Sequence, residues 1–333
     1  MEFQFLIRTL RRIFPIGTLL LLVSCEKDIT VDLPETEHRV VVEASIETGQ
    51  PPFILLTRTQ NFFAPTSIAS IAGTFITEAD VRLFDGENEH VLDKICSASL
   101  SPELLGQVAD LTGFQAGLLA NANICIWTDI GFLTGDPSIV GENGRSYRLQ
   151  IEADGRSLSA VTTIPQPVPL DSVWFRLAEQ RPGDDSTGYI WARISDPDTI
   201  GNAYRWFARR MNAGPDGEPK DPRFVPPLFS VYNDDYVNGL SFDFNFNRGS
   251  LPYTEAEDEP LEVRGFFKRN DTVAVKFASI GNAEYEFFDS YANNVVTDGD
   301  VFSTPANIRS NIEGGLGIWV GYGVFLDTVI CVP

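Results

Sequence analysis

Tyr147-Arg-Leu-Gln-Ile-Glu-Ala-Asp154-Gly155-Arg-Ser-Leu-Ser-Ala-Val-Thr-Thr-Ile164 decides the fold. Tyr147, Leu149, Ile151 and Ala153 alternate with polar residues, and Leu158, Ala160, Thr162 and Ile164 repeat the pattern. A period of two lines each set along one face of an extended strand. Between the two sets, Asp154-Gly155 supplies the positive φ that a two-residue hairpin turn requires. The stretch is therefore expected to be a β-hairpin with one buried face, and the rest of the chain can be compared with it.

Upstream, Val40, Val42, Ala44 and Ile46 alternate with Val41, Glu43, Ser45 and Glu47, and Phe53 to Thr59 and Ala79 to Phe84 continue in the same style. One helical interlude interrupts them. Ser101 can cap, Pro102 suits the first helical position, and Leu104, Leu105, Val108 and Leu111 recur at helical spacing before Gly113. This predicts a small helical insertion over 101–121, inside a longer loop 96–135, carried by an N-terminal Ig-like β-sandwich over 39–165.

Downstream, Pro165-Gln166-Pro167-Val168-Pro169 cannot continue a sheet ladder and marks a boundary. Beyond it Val173, Phe175 and Leu177 alternate, as do Leu240, Phe242, Phe244 and Phe246, and further strands are expected at 188–195, 203–211, 228–233, 261–268, 272–279 and 316–329. Tyr285, Phe288, Ala292 and Val295 recur at three and four residues between Asn282 and Gly299, which predicts a helix. Residues 170–333 thus read as a second antiparallel β sandwich or barrel with one packed helix, and the fold class as mainly β.

The first residues do not belong to this pattern. Arg8, Arg11 and Arg12 precede an apolar run, Ile13 to Val23, shorter than the roughly 20 residues of a membrane-spanning helix. The run ends in Leu22-Val23-Ser24-Cys25, small residues before a cysteine, as a lipoprotein signal peptidase requires. Residues 1–24 are expected to be a removable signal peptide, Cys25 the lipidated residue, and 25–38 a tether. Lipid burial at about 0.8 kcal/mol per methylene makes such an anchor firm once several chains are attached.

Charge and cysteine content extend this reading. Without residues 1–24, which hold three arginines and one glutamate, 22 basic and 45 acidic residues remain. So acidic a body repels nucleic acid and anionic headgroups, and no nucleic-acid partner is expected. Export would place Cys96, Cys125 and Cys331 in an oxidising compartment. Cys96 with Cys125 is the expected bridge, worth roughly 3–4 kcal/mol of loop entropy, while Cys331 with either of them stays open as an alternative.

Chemistry is sparse. The two histidines, His38 and His90, have no nucleophile placed beside them by the sequence, no cysteine or histidine pair has zinc spacing, and no phosphate-binding loop occurs. With so many acids, any pair proposed for glycoside hydrolysis would be arbitrary. Asp196-Pro-Asp198, Asn233-Asp234-Asp235, Glu255 to Glu259 and Asp298-Gly-Asp300 offer oxygens to calcium, yet none has the spacing of a complete loop, so they read as turns and solvated faces. No catalytic residue, metal or cofactor is assigned, and the protein is expected to be non-enzymatic. Trp174, Trp191 and Trp206 lie in strand-like stretches and are expected in the core. Trp127, beside Cys125, is the first choice for a binding surface.

Several ordered features resemble one known family, the DUF4249 lipoproteins of Bacteroidota. They are Ser24-Cys-Glu-Lys with Val31-Asp-Leu-Pro34, Val40-Val-Val-Glu-Ala44, Gly144-Arg-Ser-Tyr-Arg-Leu149, and Ile164-Pro165 leading to Leu170-Asp-Ser-Val173. Asp196-Pro197 with Asn202-Ala-Tyr-Arg-Trp206, Asn270-Asp-Thr-Val273 with Tyr285-Glu-Phe287, Phe302-Ser-Thr-Pro305 and Ser310-Asn-Ile-Glu-Gly-Gly-Leu-Gly317 follow. Residues 96–135 depart from the family, which has a shorter connection there. The resemblance implies an outer-membrane lipoprotein acting as accessory to a TonB-dependent receptor, and the acidic residues after Cys25 resemble the family's surface-export signal. A structural or adhesive envelope protein is the competing expectation, and a carboxylate-dependent hydrolase a distant third.

Overall fold

The computed structural model describes residues 37–60, 67–86, 88–101, 105, 119, 121–214, 217, 219–249, 263–297 and 307–333. The expected signal peptide, Cys25 and most of the tether lie outside these residues, as do most of 101–121, Glu255 to Glu259 and Asp298 to Asp300.

In chain order the elements are β1 (Val40–Glu47), β2 (Phe53–Arg58), α1 (Ile68–Ala72), β3 (Ala79–Phe84), β4 (Glu89–Val91), β5 (Asp93–Cys96), β6 (Cys125–Thr128), α2 (Gly131–Thr134), β7 (Ser146–Ala153) and β8 (Arg156–Thr163). Then come β9 (Leu170–Leu177), β10 (Thr187–Ser195), β11 (Ala203–Arg210), β12 (Val231–Asn233), β13 (Ser241–Phe246), β14 (Phe267–Lys268), β15 (Thr272–Ile280), α3 (Asn282–Thr297) and β16 (Leu316–Ile330). The chain is mainly β, as its periodicity predicts. The hairpin forms as expected: β7 and β8 pair from Ser146↔Thr163 to Ala153↔Arg156, and Asp154 and Gly155 both have positive φ, 50° and 71°.

One eight-stranded sheet, β12-β11-β15-β16-β1-β2-β6-β5, runs through His38–Pro333, which is a single compact unit. Two four-stranded sheets lie on it: β4-β3-β7-β8, and a second in which β13, β14 and β9 all pair with β10. The first encloses an aliphatic core, where Val42, Ile46, Ile54, Leu56, Val81, Leu83, Leu149, Ile151 and Trp319 are buried together. The second encloses an aromatic one around Phe175, Ile190, Tyr204, Trp206, Phe267 and Phe277. The boundary expected at 165–169 therefore separates two cores within one unit and does not break the long sheet. No set of described strands closes into a barrel, so the architecture is that of packed sheets.

β16 belongs to both cores. Its first half pairs in parallel with β1, from Val41↔Leu316 to Glu47↔Tyr322, and its second half pairs antiparallel with β15, from Ser279↔Gly323 to Thr272↔Ile330. Between the halves, a side chain at Gly323 would run into the carbonyl oxygen of Pro165, and one at Gly321 would lie 2.8 Å from that of Thr163. The missing side chains let the link between the cores cross the sheet directly. Gly317, in the stretch most specific to the family resemblance, has φ +108°, and a side chain there would strike the Val42 carbonyl.

On the opposite face of the long sheet, Ala203 and Phe207 (β11), Ala278 and Ile280 (β15) and Ile318, Val320 and Tyr322 (β16) form a third cluster. Tyr285, Phe287 and Phe288 of α3 pack against it. Glu284, in the first turn of α3, accepts a hydrogen bond from Thr162 Oγ1 (2.6 Å), and Thr162 Oγ1 in turn accepts from the Gly321 amide (2.9 Å), so the helix is pinned where the cores meet. Further along this face, Leu119, Ala122 and Ile124 are buried with Leu55 and Phe75. No described helix is long and apolar enough to cross a membrane.

Candidate functional site

Between α3 and the Leu119 cluster, polar groups gather on the outward face of the long sheet. In β1 the apolar row Val40, Val42, Ala44 and Ile46 faces the first core, which leaves Glu43 and Glu47 on the outer side. In β11 and β15 the same alternation turns Tyr204, Trp206, Val275 and Phe277 inward and Arg205, Phe207 and Lys276 outward. The connection between β11 and β12 adds Arg223 and Phe224, and α3 adds Phe288.

Cations and rings interleave there. The Arg205 guanidinium lies 3.5 Å from the Phe288 ring centre and 4.9 Å from that of Phe207, and its Nη1 donates to the Tyr322 hydroxyl (2.6 Å). The Lys276 ammonium lies 4.6 Å from the Phe207 ring centre and 5.2 Å from that of Phe224, and donates to Glu47 Oε2 (2.8 Å). Cation–π contacts of this kind contribute about 0.5–2 kcal/mol each, more as water is excluded. Phe207 and Tyr322 meet edge to face at 5.7 Å and are nearly buried, so the floor is rigid and apolar.

Glu43 completes the set without closing it. Its surface is exposed, yet burial among protein atoms pushes its carboxyl above the ordinary value, with Arg223 and Arg205 pulling it back. Burial lowers the Arg223 guanidinium and Glu43 opposes that. Among the described residues Glu43 makes no hydrogen bond or ion pair, and the Nε atoms of Arg205 and Arg223 are buried without partners. Such a set can hold charged groups of either sign against aromatic walls.

A second feature lies on the outer face of the sheet formed around β10. Ile190, Ala192 and Ile194 point into the aromatic core, so Tyr189, Trp191 and Arg193 point out. Trp191 sits opposite Trp174, their rings stacked at 6.4 Å and 21°, and the Arg176 guanidinium lies 5.6 Å from the Trp191 ring centre. Arg193 holds Asp243 through two bonds, 2.6 and 3.0 Å.

These placements correct two expectations. Trp127 is 1% exposed, turned with Cys125 into the first core, so it offers no binding surface. Trp174 and Trp191, expected in the core, are half-buried on an outer face, and only Trp206 of the three is fully buried. His90 lies 3.4 Å from Asp85, which Arg145 also holds.

The expected disulfide forms. Cys96 and Cys125 sit directly opposite on β5 and β6 and are bonded, while Cys331 is free and buried in the second core, its thiol pushed up to about 12 by that burial. The two described acidic turns are locks. Asp196 accepts from the Tyr204 hydroxyl and the Gly239 amide, and Asp234 accepts from the amides of Gly201 and Asn202. Among the described residues, no three of the types His, Cys, Asp and Glu are grouped to hold a metal.

By class this is a layered β protein whose long sheet shares one strand between two cores and carries a charged, aromatic patch on its outer face. The chain belongs to the family described as "Domain of unknown function (DUF4249)", which matches residues 26–325. No curated protein sequence matches it. Among solved structures, a cycloalternan-degrading enzyme from Trueperella pyogenes in complex with cycloalternan is 12% identical, with a TM-score of 0.22 over 85% of this chain and 33% of that one. The chain thus spans a third of the length of that protein, and so slight a likeness carries no argument.

Proposed function

We propose that this protein is a non-enzymatic lipoprotein, anchored through Cys25 to the outer face of the outer membrane, that binds a ligand or partner on behalf of a TonB-dependent transport system. The observation that carries the binding role is the charged, aromatic patch on the outer face of the long sheet: Arg205 and Lys276 interleave with Phe207, Phe224 and Phe288, and beside them on β1 the exposed Glu43 carboxylate takes no hydrogen bond or ion pair among the described residues. The anchor is supported by Leu22-Val23-Ser24-Cys25 behind a basic and apolar leader, and the transport role by the family resemblance alone. Affinity capture of the lipidated protein from detergent-solubilised envelopes should recover a β-barrel receptor. Repeated recovery of no receptor would remove the transport role.

A second reading, adhesion to an envelope polymer, is favoured by the stacked Trp174 and Trp191 on an outer face. It expects deletion of the gene to alter adhesion while nutrient uptake stays normal.

A further inference from the structure

Two connections beside the second core brace each other. Residues 196–202 join β10 to β11, and residues 234–240 join β12 to β13. From the second loop, the fully buried Asp234 accepts from the Gly201 amide at 3.0 Å and the Asn202 amide at 2.9 Å, and its own amide donates to the Asn202 carbonyl at 3.0 Å. The first loop answers in kind. Its buried Asp196 accepts from the Gly239 amide at 3.1 Å, and the Asp196 amide donates to the Leu240 carbonyl at 3.0 Å. Each loop thus spends a buried carboxylate on the backbone of the other, and neither can shift alone.

What this brace holds out to water is apolar. Ile200 is 84% exposed, Tyr236 is 92% exposed and Leu240 is 55% exposed. Single exposed apolar residues are ordinary, but three on two cross-bonded loops mark an interaction surface. The charge around them narrows what covers them. Neither loop holds a lysine or arginine; Asp196 and Asp234 are used up inside the brace, while Asp198 and Asp235 stay exposed beside the tips. A second copy of so acidic a chain, or an anionic membrane surface, is repelled there.

We propose that these two loops dock a protein partner whose apolar pockets receive Ile200 and Tyr236 and whose lysines or arginines rim those pockets, opposite Asp198 and Asp235. Tyrosine is a frequent anchor of such contacts, and loops already ordered by the brace lose little conformational freedom on association. The rim charges set the salt dependence of the encounter. This assignment rests on the partner-binding reading above and gives the partner a surface at the strand ends, apart from the charged patch on the sheet face.

The test is site-directed crosslinking with the full-length protein. Ile200→Cys, Tyr236→Cys and, as control, Met211→Cys at the opposite end of β11 are labelled with a benzophenone and irradiated in envelope membranes. The two bonded cysteines and buried Cys331 leave the new thiol as the reactive one. Positions 200 and 236 should give the same protein adduct, crosslinked at a basic stretch of the partner, and position 211 should give none. From position 200, Tyr236→Ser should lower the yield roughly fivefold or more, and Tyr236→Phe should keep it. Reversing the rim with Asp198→Lys and Asp235→Lys, or raising salt to about 0.5 M, should lower it similarly; circular dichroism checks the fold of each variant. No protein adduct, adducts only with lipid or with a second copy, an equal adduct from position 211, or a yield indifferent to the rim charges would each overturn the assignment. The capture experiment is read separately: a receptor recovered without any adduct from 200 or 236 discards this surface alone, and an adduct with a protein that is no β-barrel receptor keeps the surface and discards the transport role.

Discussion

The two cores are built to different rules. In the first, small and branched aliphatic side chains from facing sheets interlock, and the polar atoms of Trp319 and Tyr147 within it are satisfied. Trp319 Nε1 donates to the Tyr147 carbonyl at 3.0 Å, and the Tyr147 hydroxyl accepts from the Glu142 amide at 2.9 Å. A disulfide adjoins it. In the second, rings pack on rings: Tyr204 lies 5.1 Å from Phe277 and 5.2 Å from Tyr232, and Trp206 lies 5.9 Å from Phe244. There the Tyr232 hydroxyl and Trp206 Nε1 are buried with no partner, and the cysteine is unbonded. Aromatic area offsets the unmet hydrogen bonds, because a large ring gains more by burial than one idle polar atom loses. The second core can therefore be improved by subtraction, and the first cannot.

The sharpest way to break this contrast is Trp319→Ala. It empties one of the two tryptophans buried in the first core and orphans a carbonyl, so it should cost about 3–5 kcal/mol in urea unfolding. If β16 couples the cores, both should be lost in one transition. Next in size, replacing Cys96 and Cys125 together by alanine should cost about 3 kcal/mol, and reducing agent should lower the wild-type melting temperature similarly while leaving that of the double variant unchanged. Smaller still, Tyr232→Phe should leave stability unchanged or raise it by about 1 kcal/mol, whereas Tyr147→Phe should lower it by about 1 kcal/mol. A clear loss from Tyr232→Phe would sink the contrast.

The smallest effect concerns the join. Burial pushes the Glu284 carboxyl above its ordinary value, with the Thr162 hydroxyl pulling it back. The native state then keeps the proton to higher pH than the unfolded chain does, so stability falls as pH rises from the ordinary carboxylate value toward the raised one. Glu284→Gln abolishes that loss. Thermal melts from about pH 4 to about pH 7 should show the variant matching the wild type in acid and gaining on it toward neutrality.

Much of this fold is legible in the chain because each strand records which of its faces is buried. The rows Val40 to Ile46, Tyr147 to Ala153 and Leu158 to Ile164 appear as alternation, and α3 appears as a spacing of three and four. Alternation also held the correct placement of two tryptophans. Trp127 is in phase with buried Cys125, and Trp191 is in phase with Tyr189 and Arg193 and out of phase with Ile190, Ala192 and Ile194. Judging Trp191 by its apolar neighbours and Trp127 by its place beside Cys125, without regard to that phase, reverses both. What alternation cannot record is partnership. Nothing local in Val41 points to Leu316, and the charged patch draws Glu43, Arg205, Arg223, Lys276 and Phe288 from five separate segments. Short segments such as β4, β5 and α1 carry too few residues to show any period.

Strand β16 has a consequence for how the molecule can be made. β1 acquires its parallel neighbour only when residues 316–322 arrive, and β15 acquires its antiparallel neighbour only with residues 323–330. A growing chain therefore has no finished sandwich to fold into, even after its first core's other strands have emerged. Pairing across so much sequence is also slow, since the loop must close before any contact repays it. Under the proposed export, the strand that locks both halves crosses after the strands it joins, so stable folding waits for the far side.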